Sequence, residues 1–145
     1  MKKILLAEDN PFDLELALAG LAEYRLTNEV VVARDGAETL DYLKRRGQFA
    51  DRPLGGPMVI LLDLKMPKVD GLEVLQQIKS DRLLRTIPIV VLTSSREESD
   101  LVRTYDLGVN AYVVKPVVFN EFMDAVKVLG QFWAVVNEPP PLVKA

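Results

Sequence analysis

The chain has 145 residues, 49% of them apolar and 27% charged, which fits one ordinary globular domain long enough to bury a real core. A net charge of -3 offers nothing to attract nucleic acid or an anionic membrane surface. With no cysteine and no histidine, disulfides, thiolate or imidazole metal sites and histidine general-base chemistry are all excluded.

Strand and helix signals alternate five times along the chain. Lys3–Ala7 is a short apolar strand that runs straight into Glu8-Asp9. It is too short for the apolar region of a signal peptide. No run elsewhere approaches the roughly 20 apolar residues of a membrane helix, so a cytoplasmic protein is expected. Asn10 is a suitable N-cap and Pro11 suits a first helical turn, with Leu14, Leu18, Leu21 and Ala22 carrying the apolar stripe to about Tyr24. Val30–Ala33 is the second strand. Asp35-Gly36 breaks it, and Ala37, Leu40, Tyr42 and Leu43 mark a second helix ending at Gly47. Lys44-Arg45-Arg46 closes that helix, where positive charge complements the helix dipole. Gln48 to Pro57 reads as a long loop. Val59–Asp63 is wholly apolar up to its final acid, as a central strand buried on both faces should be. Met66-Pro67 and Asp70-Gly71 are turns before a third helix bearing Leu72, Val74, Leu75 and Ile78. Pro88–Thr93 is the fourth strand. A short fourth helix follows over Glu97–Leu107, with acids in its first turn, stopped by Gly108. Ala111–Val114 is the fifth strand and Val118–Val136 the longest helix. These elements predict one domain over 1–136 and a Pro-rich tail over 137–145.

Five βα units with right-handed crossovers make an α/β fold: a single doubly wound, five-stranded parallel sheet of flavodoxin-like (βα)5 type, order 2-1-3-4-5. That order sets the first and third strands side by side at the switch point, where ligands bind in open α/β sheets. Glu8, Asp9 and Asp63 therefore converge on one crevice, joined by Thr93 and Lys115 from the ends of the fourth and fifth strands. Converging carboxylates repel one another unless a cation sits among them. Oxygen donors without His or Cys suit Mg²⁺, and the hydroxyl and ammonium would complete a site for in-line phosphoryl transfer onto a carboxylate.

Glu8-Asp9, Asp63 within LLDLKMPKVDG, LTSS at Thr93 and AYVVKP at Lys115 together resemble the receiver domain of two-component response regulators. The match runs over about residues 3 to 136. The long Arg45 to Pro57 loop and the final helix containing Phe132-Trp133, followed by prolines, look like the small stand-alone regulators partnered with phytochrome-type histidine kinases. The resemblance implies that Asp63 is the phosphoacceptor. It implies that Asp9, Asp63 and the Lys65 backbone carbonyl bind Mg²⁺, with Glu8 acting on the metal weakly or through water. Thr93 would bond the phosphoryl group, Lys115 would pair with it, and the bond before Pro116 would be cis. Tyr112 matches the switch aromatic, which rotates inward as Thr93 moves. Lys65 and Ser95 match the two lifetime-tuning positions, and neither orients a hydrolytic water, so a phosphoaspartate of moderate to long life is expected. The resemblance further implies a sensor histidine kinase as partner and a histidine phosphotransfer protein as a possible acceptor. Such a domain catalyses only its own phosphorylation and slow dephosphorylation, and its signalling face is helix four, strand five and helix five.

The last helix has more apolar surface than one core stripe needs. Phe119, Phe122, Val126, Leu129 and Trp133 form an arc assigned to the core. Ala125, Val128, Phe132 and Val135 form a second arc, which predicts a homodimer through this helix unless the tail folds back over it.

Two other readings of the fold are weaker. A phosphatase of the haloacid dehalogenase type needs a second aspartate two residues after the nucleophile, and that place holds Lys65. A flavodoxin-like cofactor binder needs a Gly/Ser/Thr-rich phosphate loop after the first strand, where this chain has Glu8-Asp9-Asn10-Pro11. A degenerate receiver acting only as a scaffold would not need all of its site positions filled with competent residues, as they are here.

Overall fold

A computed structural model describes residues 3–22 and 29–141. Tyr24, the expected end of the first helix, lies outside the described residues, as do residues 142–145 of the tail. The strands are β1 (Ile4–Ala7), β2 (Val30–Ala33), β3 (Val59–Leu62), β4 (Ile89–Thr93) and β5 (Ala111–Val114). The helices are α1 (Pro11–Ala22), α2 (Gly36–Lys44), α3 (Gly71–Ser80), α4 (Glu98–Asp106) and α5 (Phe119–Gly130). The sheet is five-stranded and parallel in the order β2-β1-β3-β4-β5, as the alternating pattern predicted.

Every residue of β1, β3 and β4 is buried, while β5 is half-buried throughout. That gradient follows from helices covering both faces of a parallel sheet, which leaves only its margins near water. One core layer joins Leu5, Leu40, Leu43, Ile60, Leu75 and Ile78 beneath α2 and α3. The other joins Leu6, Leu14, Leu21, Leu61, Phe122 and Val126 beneath α1 and α5. Each such fully buried side chain contributes about 1.5–3 kcal/mol relative to exposure.

The helix starts are set by local chemistry. Asn10 Oδ1 accepts from the Phe12 and Asp13 amides at 2.9 and 3.1 Å. Asp35 and Asp70 cap α2 and α3 by accepting from the Glu38 and Glu73 amides at 2.7 and 2.9 Å. Helix α2 ends with Arg45 in the left-handed region at φ 54.

The long loop before β3 is ordered around one side chain. Arg52 donates to the carbonyls of Tyr42, Leu43, Pro53 and Gly55, and its guanidinium stacks 4.4 Å above the Tyr42 ring. Two close approaches fix the loops bordering the crevice. A Cβ on Gly71 would lie 2.3 Å from the Asp63 carbonyl oxygen, and one on Gly36 1.7 Å from the Val69 carbonyl oxygen.

The last helix differs from expectation in two ways. It continues past Gly130 as a π-type segment, Gln131–Val136, before Asn137 turns extended. Phe119, assigned to the core, is 57% exposed and meets Phe12 edge-on at 4.9 Å. Phe122 and Val126 take the buried places, with Leu129 and Trp133 packed at the margin. The second arc stays open: Val128, Phe132 and Val135 are 63%, 46% and 60% exposed. Pro139–Pro141 instead line a cavity of about 810 Å³ with Leu43, Leu54, Leu83, Leu84 and Ile87, at the edge where β3 and β4 begin.

Candidate functional site

The site lies where β1, β3, β4 and β5 end. The Glu8 amide donates to the Ala33 carbonyl and the Asp63 amide to the Ala7 carbonyl, so ladder bonds extend one residue past the strands and hold both acids in register. The pairing of Leu62 with Val91 carries Asp63 to the level of Leu92, one residue short of Thr93. Glu8, Asp63, Thr93 and Lys115 are buried, whereas Asp9 is exposed.

Lys115 is the electrostatic centre. Its ammonium donates to Glu8 Oε1 and Oε2 at 3.0 and 2.8 Å, to Asp13 Oδ2 at 2.9 Å and to Asp63 Oδ2 at 3.2 Å. Burial alone would lower the lysine's pKa, but the Glu8 bond, the Asp63 charge and the Asp13 bond outweigh it and raise the pKa, so the cation is permanent. For Glu8, burial and then the Asp63 charge raise the pKa to about 7 against the pull of Lys115. Asp13 has no counterpart in the sequence reading. An acid in the first turn of a helix reads as a complement to the dipole, and only the fold reveals its reach to Lys115.

Carboxylate oxygens of Glu8, Asp9 and Asp63 lie within 4.8 Å of one another. One ammonium serves Glu8, Asp63 and Asp13, with Asp9 beside them, so negative charge is in excess and the donor set is all oxygen. Both features fit a divalent cation such as Mg²⁺. Glu8 spends both oxygens on Lys115, which favours Asp9 and Asp63 as direct ligands. The Lys65 amide donates to Asp63 Oδ1 at 3.3 Å and so turns the loop after β3 around the carboxylate.

Thr93 Oγ1 accepts from the Ser95 amide at 3.4 Å, leaving its own proton to donate elsewhere. The Tyr112 hydroxyl donates to the Ser95 carbonyl at 2.9 Å, and its ring packs against the core. Burial raises that hydroxyl's pKa, which keeps it a donor. The bond between Lys115 and Pro116 is trans, contrary to the cis form expected from the resemblance. The trans tertiary amide is the lower in energy by about 0.5–1 kcal/mol, and from it Lys115 already reaches all three carboxylates, so nothing at the site requires the rarer isomer.

Residues 4–127 match the response regulator receiver domain. The chain belongs to that family. Its relatives include the response regulator Rcp1 of Synechocystis sp., 38% identical over 91% of this chain and 88% of that one. Rcp1 has also been solved in a Mn²⁺-bound form, with a TM-score of 0.90 at 36% identity, covering 97% of this chain and 100% of that one. The phosphorylated cyanobacterial phytochrome response regulator RcpA superposes with a TM-score of 0.90 at 43% identity, covering 97% and 99% of the two chains. The bacteriophytochrome response regulator AtBRR is 64% identical, with a TM-score of 0.74 over 95% of this chain and 99% of that one. The five-stranded order and the acid cluster thus sit within a known signalling family rather than a family of metabolic enzymes. Among the described residues, no helix is long and apolar enough to cross a membrane.

Proposed function

We propose that this receiver is a stand-alone regulator that accepts a phosphoryl group on Asp63 from a sensor histidine kinase of the phytochrome type. The carrying observation is the contact between Lys115 Nζ and Asp63 Oδ2, at 3.2 Å, beside the buried carboxylate of Glu8. An Asp63 oxygen attacks phosphorus in line, the P–N bond of the donor phosphohistidine breaks, and a P–O bond forms. Mg²⁺, held by Asp9, Asp63 and the Lys65 carbonyl, would neutralise the phosphoryl oxygens as charge builds on them. Lys115 binds the acceptor side, and the Thr93 hydroxyl donates to the arriving group. Such transfer is mostly positioning and charge compensation, which rigid strand ends supply.

The phosphoryl group adds about two negative charges at one point. Thr93 responds by moving, and Tyr112, bonded at Ser95 beside it, carries the change to α4, β5 and α5. The change is a shift between states already accessible to the protein. The arc of half-buried Ala125 and exposed Val128, Phe132 and Val135 suits an isologous homodimer through the last helix. The receiver would extend to residue 136, with 137–145 as a tail, and act in the cytoplasm. A histidine phosphotransfer protein is a further acceptor for the group.

Acetyl phosphate with Mg²⁺, read by intact mass, tests this function. The native protein should gain one phosphoryl group, and Asp63→Asn or excess EDTA should prevent it. An equal gain in Asp63→Asn would move the acceptor to another residue.

A further inference from the structure

The buried carboxylate of Asp100, in the first turn of α4, lies outside the acid cluster and is not used by the transfer itself. Its Oδ2 accepts from Ser95 Oγ at 2.6 Å and lies 3.7 Å from Lys65 Nζ. Ser95 and Lys65 stand on different loops, the first after β4 and the second after β3, on either side of Asp63. Ser95 is held at four points: its amide donates to Thr93 Oγ1, its carbonyl accepts from Tyr112, its Oγ bonds Asp100, and the same Oγ accepts from the Glu97 amide at 3.3 Å. Asp100 is 6% exposed, while the Lys65 side chain is 61% exposed. A long, mobile cation is therefore tethered to a fixed, buried anchor.

We propose that Asp100 is a positioning residue that sets the lifetime of the phosphorylated state, by tying Lys65 and Ser95 together across the mouth of the acceptor. The inference rests on Asp63 being the phosphoacceptor. Hydrolysis needs water to approach phosphorus in line with the Asp63–phosphoryl bond, and groups that close the mouth restrict that approach. With the tether cut, Lys65 swings into solvent, Ser95 loosens, and Thr93 loses the partner that orients its hydroxyl. Outer-shell groups of this kind act by holding inner ones in place.

Dephosphorylation is followed by intact mass, after removal of acetyl phosphate with Mg²⁺ kept present. Native protein that fails to label, or Asp63→Asn that still labels, overturns both the acceptor assignment and the inference. With labelling established, Asp100→Ala should lose its phosphoryl group faster by about threefold or more, as expected for residues sharing one hydrogen-bonded network. Asp100→Asn, which still accepts from Ser95 but cannot hold the Lys65 charge, should fall between Asp100→Ala and the native protein. Lys65→Met should have a smaller effect in the Asp100→Asn background than alone, a coupling that general destabilisation would not create. Ser95→Ala cuts the other arm without altering the buried carboxylate and should also shorten the lifetime, so the inference stays testable if Asp100→Ala does not fold. Unchanged lifetimes in Asp100→Asn and Ser95→Ala, or strictly additive effects of Lys65 and Asp100, overturn the inference and leave the acceptor assignment standing.

Discussion

Both oxygens of Glu8 are bound by the ammonium of Lys115, at 2.8 and 3.0 Å, and the pair is almost wholly removed from water. The contact closes the crevice at the end of β1, but burial and the Asp63 charge outweigh the pull of Lys115 and leave Glu8 with a raised proton affinity, which has a consequence for folding. Its folded-state pKa is about 7 against an ordinary 4.5, so in the metal-free protein the fold binds a proton that the unfolded chain has released. Glu8's contribution to stability is then full below about 4.5 and is lost as pH rises through about 7. Urea unfolding across that window should show this decline from Glu8. Glu8→Gln, neutral at every pH, should reduce the slope. An identical slope in the variant would assign the proton elsewhere.

Removing the cation should be costly. Lys115→Met leaves the carboxylates of Glu8, Asp13 and Asp63 without their shared partner. Breaking a buried pair from one side costs about 3–5 kcal/mol. The metal-free variant should melt well below the native protein. Added Mg²⁺ should recover part of the loss, because a divalent cation can occupy the same excess of negative charge. A variant as stable as the native protein without metal would show that the acids tolerate one another unaided.

Gly71→Ala tests the loop after β3. The new methyl would meet the Asp63 carbonyl oxygen at 2.3 Å and Leu64 Cα at 2.5 Å, both backbone atoms that cannot rotate away. Overpacking of this kind costs about 1–3 kcal/mol. The loop carrying Lys65 must shift, so acetyl-phosphate labelling at Asp63 should slow along with the drop in melting temperature. Labelling at the native rate would separate the loop from the acceptor.

Phe132→Glu tests the exposed arc of the last helix. It places a charge beside Val128 and Val135, where an isologous contact would bury it twice. Light scattering should report a dimer for the native protein and half that mass for the variant. Equal masses would remove this face as the contact.

The sheet was legible because apolar runs of β-branched residues and leucine each end in a distinctive polar group. Asp63 and Lys115 could be placed together from strand order alone. Thr93 could be put on the adjoining strand for the same reason. What stayed hidden depends on side chains meeting between elements. Asp13 and Asp100 both occupy first turns of helices, where an acid needs no further explanation. Yet one reaches Lys115 and the other anchors Ser95. Phe119 has the right helical spacing for the core, but Phe12 on α1 offers its ring an edge-on partner near the surface. The isomer before Pro116 followed from resemblance rather than from any residue interaction, and the structure has the other isomer.

Arg52 has a consequence for how the molecule would be attacked. With Arg52 bonded to four carbonyls and stacked on Tyr42, the longest connection in the chain has little slack for a protease cleft to thread. Cutting that one guanidinium away should turn a sturdy spur into the first place where trypsin or thermolysin bites.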